Sequence, residues 1–168
     1  RMAGFQAVID GELRIGLQNC AGRVELDKLQ AREPDLFFPT APAIDISNCA
    51  SVAMRDIVDF GLPAVRVQSS RVLLTCCRLG ITRINLGGGP CLWATNADID
   101  IVQPEFQTAG LGPASGGGYA AIFATNSVLR VGGDHQALVS GGPPLSASGG
   151  SAIVANGGTV TIDPAVAL

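Results

Sequence analysis

Residues 43–56 read AIDISNCASVAMRD, a segment in which two triplets with apolar residues at their first and third positions, IDI and VAM, flank an Asn. Alternation with a period of two is typical of β-strands, because successive side chains of a strand point to opposite faces. The segment lacks the i, i+3, i+4, i+7 apolar spacing that an amphipathic helix needs. It therefore predicts two short strands joined by a bend.

The same pattern occurs six times along the chain. The first apolar residue of each unit is Ile15, Ile44, Val65, Leu92, Ile122 and Ile153, so successive units are 29, 21, 27, 30 and 31 residues apart. A unit of this size cannot bury its own apolar face, but units stacked about 4.8 Å apart pair each strand with its equivalents and enclose a continuous core. The repeat predicts an all-β fold, a parallel β-helix of about six coils that is right-handed, as parallel crossovers generally are.

Five columns of inward-facing apolar residues follow from this alignment. The first strand contributes Ile15, Ile44, Val65, Leu92, Ile122, Ile153 and also Leu17, Ile46, Val67, Ala94, Ala124, Ala155. The second strand contributes Val24, Val52, Val72, Ile99, Leu129, Val160 and also Leu26, Met54, Leu74, Ile101, Val131, Ile162. A third strand is expected to begin at Leu29, Ile57, Leu79, Phe106, Leu138 and Val166.

The bend between the first two strands is occupied by Asn19, Asn48, Ser69, Asn96, Asn126 and Asn156. Asn tolerates the left-handed backbone conformation of sharp turns, and stacked amides can hydrogen-bond from one coil to the next. A general preference of Asn for turns would explain one or two of these residues but not five at one position of the repeat. The pattern predicts an asparagine ladder.

With these features the segments AIDISNCASVAMRD, CLWATNADIDIV and AIFATNSVLRV resemble coils of the right-handed parallel β-helix, or pectin-lyase-like, superfamily. The resemblance covers nearly the whole chain, so residues 1–168 are expected to form a single β-helix domain, cut from a longer protein. It is specific for architecture and not for activity. The superfamily includes polysaccharide lyases and hydrolases, phage tail spikes, surface adhesins and large secreted proteins.

Composition argues against a disordered segment, a nucleic-acid-binding protein and a membrane span. The chain is 47% hydrophobic and 15% charged, which is too apolar for a disordered segment. Its net charge of -3, with scattered Arg and Lys, lacks the basic stripe of a nucleic-acid-binding protein. Apolar runs stay well short of the roughly 20 residues that cross a bilayer, so no membrane span is expected.

The cysteines and glycine-rich loops indicate no cofactor or metal site. Five Cys cannot all pair, none stands in C-x-x-C spacing, and the adjacent Cys76 and Cys77 are the one local peculiarity. The segment GLGPASGGG lacks the G-K-[ST] ending of a phosphate-binding loop. We expect buried, packing cysteines and no bound cofactor or metal.

An outward column offers the best candidate binding residues. Between the inward positions of the first strand lie Gly16, Asp45, Arg66, Trp93, Phe123 and Val154. Arg66, Trp93 and Phe123 on neighbouring coils could form a cation-π ladder or an exposed aromatic strip that binds a sugar ring or a partner chain. The alternative is that a long loop folds over them as a small second core.

Candidate catalytic residues lie at the turn after the second strand. If the chain is an enzyme, its acid-base groups are expected among Asp56, Arg78, Glu105, Asp134 and His135. Pectate lyases, which the chain resembles, have catalytic groups near this face, but the polygalacturonase motifs N-T-D, D-D, G-H-G and R-I-K are absent. His135 is the sole His, and a single His in a Gly-rich loop is more often solvated than catalytic.

These features favour a non-catalytic β-solenoid segment of a secreted or cell-surface protein, with a structural, adhesive or glycan-binding role. A carbohydrate-active enzyme, either a polysaccharide lyase or a glycoside hydrolase, is the first alternative. A self-assembling filament or phage fibre subunit is the second, because uncapped coil ends expose strand edges through which copies can associate. The expected partners are a polysaccharide or a neighbouring subunit, outside the cell.

Overall fold

All regular elements of the described residues are β-strands, and every ladder between them is parallel. The structure, a computed structural model, describes residues 8–10, 14–32, 42–59, 64–80, 90–107, 120–134, 136–141 and 151–168. The strands are β1 (Val8–Asp10), β2 (Ile15–Gln18), β3 (Arg23–Asp27), β4 (Gln30–Arg32), β5 (Ile44–Ser47), β6 (Ser51–Arg55), β7 (Val58–Asp59), β8 (Val65–Gln68), β9 (Arg71–Thr75), β10 (Arg78–Gly80), β11 (Leu92–Thr95), β12 (Asp98–Val102), β13 (Glu105–Gln107), β14 (Ile122–Gly132), β15 (Leu138–Ser140) and β16 (Ile153–Ile162).

The strands stack into two sheets. One sheet holds the third strand of each turn in the order β1-β4-β7-β10-β13-β15. The other holds the first and second strands, which become continuous in β14 and β16. Each strand thus pairs with its equivalent in the next turn, which confirms the predicted parallel β-solenoid. The right-handed sense of the coil stays a prediction.

The number of turns differs slightly from the prediction. Four turns consist of three separate strands each, beginning with β2, β5, β8 and β11. The two further levels of the stack come from the continuous strands β14 and β16. The prediction of six coils counts one coil for each repeat unit. The structure has about four turns, because the last two units form the continuous strands β14 and β16.

The core is built from the four columns predicted for the first two strands. The register pairs Leu92 with Val65 on one side and with Ile122 on the other, and all three side chains are fully buried. The same correspondence holds along all four columns. At the two ends of the described stack Ile15 and Ile153 are only partly buried, and among the described residues each pairs with one neighbour, Ile44 and Ile122.

The column predicted for the third strands is wrong in its register. Phe106 pairs with Leu79 and with Val139, so Leu138 lies one residue out of place. The backbone hydrogen bonds define a separate column just before the third strands, consisting of Leu29, Ile57, Cys77, Pro104, Ala137 and Val166. These strands are only two or three residues long, so alternation alone cannot distinguish two registers.

The corner after the first strand has the backbone conformation that the Asn pattern predicts. Positive φ values are found at Asn19 (54°), Asn48 (52°), Ser69 (47°), Asn96 (50°) and Asn126 (48°). The backbone N–H groups at this corner extend the hydrogen-bond ladder to the next turn. For example, Asn96 N donates to Thr125 O at 3.0 Å. The Asn side chains are exposed, so their role here is the left-handed conformation rather than a buried stack of amides.

Asn156 does not belong to this corner. It lies opposite Thr125 within the ladder, and Gly157, with a φ of 76°, takes the place opposite Asn126. A Cβ atom at Gly157 would approach Asn126 Oδ1 to 2.7 Å. Glycine therefore meets the conformational requirement in the last level, and the asparagine column ends one level earlier than predicted.

A second left-handed corner follows the second strand and was not predicted. Its residues are Lys28 (φ 54°), Asp56 (φ 50°), Cys76 (φ 52°) and Gln103 (φ 55°). Lys, Cys and Gln are not turn formers, so composition contains no signal for this corner. The corner also separates the adjacent Cys76 and Cys77, because the first is exposed and the second is buried.

Replacement of Asn96 tests the conformational role of the first corner. At a φ of 50°, we expect Asn96→Ala to lower the free energy of unfolding by about 1 kcal/mol, because a Cβ is disfavoured in the left-handed region. Asn96→Gly should lower it less, since glycine adopts this conformation without steric penalty. Urea denaturation measures both. If the Ala variant proves as stable as the Gly variant, the left-handed backbone conformation is not the reason why Asn stabilises this position.

Candidate functional site

The predicted aromatic column lies on the outer face of the first strands. Trp93 on β11 pairs in register with Arg66 on β8 and with Phe123 on β14. The Trp93 side chain is 43% exposed, and its ring meets that of Phe123 edge to face, with centroids 5.8 Å apart and an interplanar angle of 70°. The parallel register thus presents an aromatic pair at the surface of a sheet.

Arg66 is engaged on the side away from Trp93. Its Nε donates to Asp45 Oδ1 at 2.9 Å, and Nη2 forms a short ion pair with Asp45 Oδ2. The hydrogen bond that Arg66 donates to Asp45 is the main reason why the pKa of the Arg66 guanidinium is raised above its ordinary value. The guanidinium therefore makes a bidentate pair with Asp45 on the neighbouring turn, and the ring contact in this column is that of Trp93 with Phe123.

A polar column runs beside the aromatic one and was missed by the sequence analysis. Two positions further along each first strand the register aligns Gln18, Ser47, Gln68, Thr95 and Thr125. Gln68 is exposed and the two Thr residues are half-buried. Period-two alternation would have placed these side chains outward, about 7 Å from the aromatic column. Together the two columns offer ring faces and edges next to hydroxyl and amide groups.

Of the candidate catalytic residues, the structure brings Arg78 and Glu105 together. Arg78 Nε lies 2.6 Å from Glu105 Oε2, and Nη2 donates to Glu105 Oε1 at 3.0 Å. The pKa of Arg78 is raised, first because of its hydrogen bond to Glu105. The Glu105 carboxylate is thus bound by a guanidinium on the adjacent turn, an arrangement typical of a register-fixing surface pair.

The other described candidates, Asp56 and Asp134, are not part of this ion pair. Asp56 is an exposed residue of the second corner. Asp134 Oδ1 accepts hydrogen bonds from the side-chain amide of Gln103 and, at 2.8 Å, from the backbone N–H of Gln136. His135 lies outside the described residues. Each of the two carboxylates thus bonds to a side chain of the preceding turn, Glu105 to Arg78 and Asp134 to Gln103.

Charged residues on the second strands form a separate cluster. Arg130 pairs with Asp100 at 3.0 Å, and it also contacts Asp98 at 2.6 Å. Asp98 lies 3.8 Å from Arg71 on the preceding turn. Exposed pairs of this kind contribute about 0.2–1 kcal/mol each, so we interpret the cluster as support for strand register.

Known proteins give no further assignment, because no protein family, no curated protein and no solved structure matches this chain. Across the described ranges, His, Cys, Asp and Glu nowhere gather in threes that could hold a metal ion. A search of the same ranges finds no helix long and apolar enough to span a membrane. The site is therefore interpreted from its own residues.

Proposed function

We propose that this chain is a non-catalytic segment of a secreted or cell-surface protein that binds glycan through the aromatic column of Arg66, Trp93 and Phe123. The observation that supports this most directly is the exposed Trp93 ring, in edge-to-face contact with Phe123 on an adjacent turn. Aromatic side chains lose little conformational entropy on binding and are therefore effective anchors. The resemblance to the pectin-lyase-like superfamily, several of whose members act on polysaccharides, agrees with this function.

The surroundings of the rings also favour a sugar over an apolar partner. Sugar rings present C–H groups on their faces and hydroxyl groups around their edges. The aromatic column supplies a surface for the faces, and Gln68, Thr95 and Thr125 supply hydrogen-bonding groups next to it. Because Arg66 is already paired with Asp45, the column carries little unbalanced charge, which favours a neutral glycan over an acidic one.

An enzyme is less well supported than a binding segment. The Glu105 carboxylate is bound by Arg78, and Asp134 is bound by Gln103 and Gln136. A general base must be able to accept a proton from the substrate or from water, and these contacts compete with that role. The lyase or hydrolase and the self-assembling fibre both stay alternatives, to be decided by assays of glycan cleavage and of association state.

Removal of both rings tests the proposed site. We expect the Trp93→Ala, Phe123→Ala double variant to lose at least about tenfold in affinity for a bound neutral glycan, since truncation of an aromatic anchor residue in a binding site typically costs about 2 kcal/mol or more. Affinity is measured by retention on immobilised neutral and acidic glycans. Trp93 is the only Trp, so its fluorescence also reports binding in the native chain and in Phe123→Ala.

Leu73 and Val102 provide the control, because they are exposed apolar side chains on the second strands, at 38% and 44% exposure. The Leu73→Ala, Val102→Ala double variant should bind as the native chain does. Equal binding by both double variants would show that the aromatic column is not the site, and cleavage of any glycan in the panel would show that the chain is an enzyme.

A further inference from the structure

Two of the five cysteines occupy the same position of the repeat in successive turns. Cys20 and Cys49 each follow the left-handed Asn of the first corner, Asn19 and Asn48. The next level has Ser70 at this position. Stacking along the axis therefore places Cys20 next to Cys49, although 28 residues separate them in the sequence.

The contacts of the two thiols place both sulfur atoms at the same corner of adjacent turns. Cys49 Sγ reaches across to the preceding turn, where it lies 3.5 Å from Leu17 O. Cys20 Sγ lies 3.7 Å from Gln18 O, the next carbonyl of the same strand. The backbones are tied at this point, because Ala50 N donates to Cys20 O at 2.8 Å. Turns stack about 4.8 Å apart, within the roughly 4.4–6.8 Å between Cα atoms that a disulfide spans.

The other cysteines occupy other positions of the repeat, where the aligned residues of the adjacent turns are not Cys. Cys77 lies between Ile57 and Pro104 in the column before the third strands, and Cys91 lies between Ala64 and Ala121. Burial raises the pKa of the Cys77 thiol to about 11, which keeps it protonated near neutral pH. Cys76 is exposed at the second corner, with its side chain on the opposite side of the backbone from that of Cys77.

We propose that Cys20 and Cys49 are an oxidisable pair that forms a disulfide between the first two three-strand turns. The oxidant is a small-molecule disulfide, RSSR. Cys20 loses its proton and attacks one sulfur of RSSR, which forms a mixed disulfide on Cys20 and releases one thiolate. Cys49 then loses its proton and attacks Cys20 Sγ, which closes the Cys20–Cys49 bond and releases the second thiolate. In total, two protein thiols and RSSR give one protein disulfide and two RSH.

The order of the two steps follows from burial. Cys49 is 2% exposed, whereas Cys20 is only partly buried and is therefore the sulfur that an external disulfide can reach. The side-chain hydrogen bond of Cys20 to Cys49 is the main reason why the pKa of the Cys20 thiol is raised, so the first attack should become faster as the pH increases. The disulfide would link the first turn to the second. The inward residues Ile15 and Leu17 of the first turn are partly buried, whereas Ile44 and Ile46 of the second are fully buried.

The test uses the whole chain with Cys76 replaced by Ser, because the exposed Cys76 would otherwise react with any oxidant. Ser69 adopts the same left-handed conformation at the other corner, with a φ of 47°, so Cys76→Ser should fold normally. The folded Cys76→Ser chain is incubated with oxidised glutathione, its remaining thiols are alkylated, and it is digested with trypsin without reduction. We expect the loss of two of the four remaining thiols and a link between peptides 15–23 and 33–55.

Single replacements separate the two steps. In the same background, Cys49→Ser should retain one glutathione on peptide 15–23, because the second attack is missing. Cys20→Ser should show no glutathione on Cys49, because the buried thiol cannot react first. The proposal is overturned if the folded Cys76→Ser chain does not form the link between peptides 15–23 and 33–55, or forms it only between two chains. It is also overturned if Cys20 and Cys49 are modified equally in the two single variants.

Discussion

Leu92→Ala is expected to lower the free energy of unfolding by about 2–5 kcal/mol, because it removes most of a fully buried side chain and leaves a cavity. Leu92 lies between Val65 and Ile122 in the stack, and the next inward residue of its strand, Ala94, is too small to fill the space. The turns above and below are held at the spacing of the backbone ladder, so they cannot move together to close the cavity. Denaturation with urea measures the loss.

Val102→Ala is the matched control for this replacement. Val102 is also an apolar strand residue, but its side chain is 44% exposed, so we expect a loss of less than about 1 kcal/mol. A loss of the same size in Leu92→Ala and Val102→Ala would contradict the assignment of Leu92 to the core. An equally cooperative transition in both variants would confirm that the difference arises in the folded state.

Gly80→Ala is the second replacement for which we expect a large effect, a loss of about 3 kcal/mol in the free energy of unfolding. Gly80 is buried at the end of β10, has a φ of 144° and pairs with Gln107 of the next turn. A Cβ atom at this position would lie 1.7 Å from the backbone oxygen of Gln107. Since the clash involves backbone, it can be relieved only by breaking the pairing of β10 with β13.

Gly132→Ala provides the comparison. Gly132 also ends a strand, β14, but a Cβ atom built there meets nothing within 4 Å. We expect its stability to change by no more than about 0.5 kcal/mol. Thermal unfolding measures the stability of both variants, and a Gly80→Ala chain as stable as Gly132→Ala would show that the six-stranded sheet tolerates a shift of β10.

The sequence predicted the strand register correctly wherever one face of a strand is apolar and the other is polar. In the first two strands a shift by one residue would bury Asp45 or Arg66 and expose Ile44 or Val67, so the alignment has a single acceptable register. The third strands are too short for such a penalty, and there Leu138 was placed one residue away from Val139. Asn156 was assigned to the first corner because Asn occupies that corner in four of the five other units. The residue that lies at the corner is Gly157, which adopts the left-handed conformation there.

The candidate site was predictable as a set of neighbours but not as a set of contacts. Stacking of the repeat places Arg66 beside Trp93, yet it leaves open whether the guanidinium turns to the ring or to Asp45 on the other side. The structure pairs it with Asp45, because two parallel N–H···O bonds to a carboxylate are stronger than an exposed cation-π contact. In the same way, Glu105 appeared as a candidate acid and proves to be bound by Arg78.

By itself the sequence determined the parallel stacking, the four inward columns and the first left-handed corner, because each depends on local alternation repeated at every turn. Only the tertiary structure decided the left-handed conformation of the second corner at Lys28, Asp56, Cys76 and Gln103 and the pairing of Arg66 with Asp45. These features join residues of different turns whose types carry no common signal. Their positions are set by the backbone ladder, whose register depends on loops of unequal length.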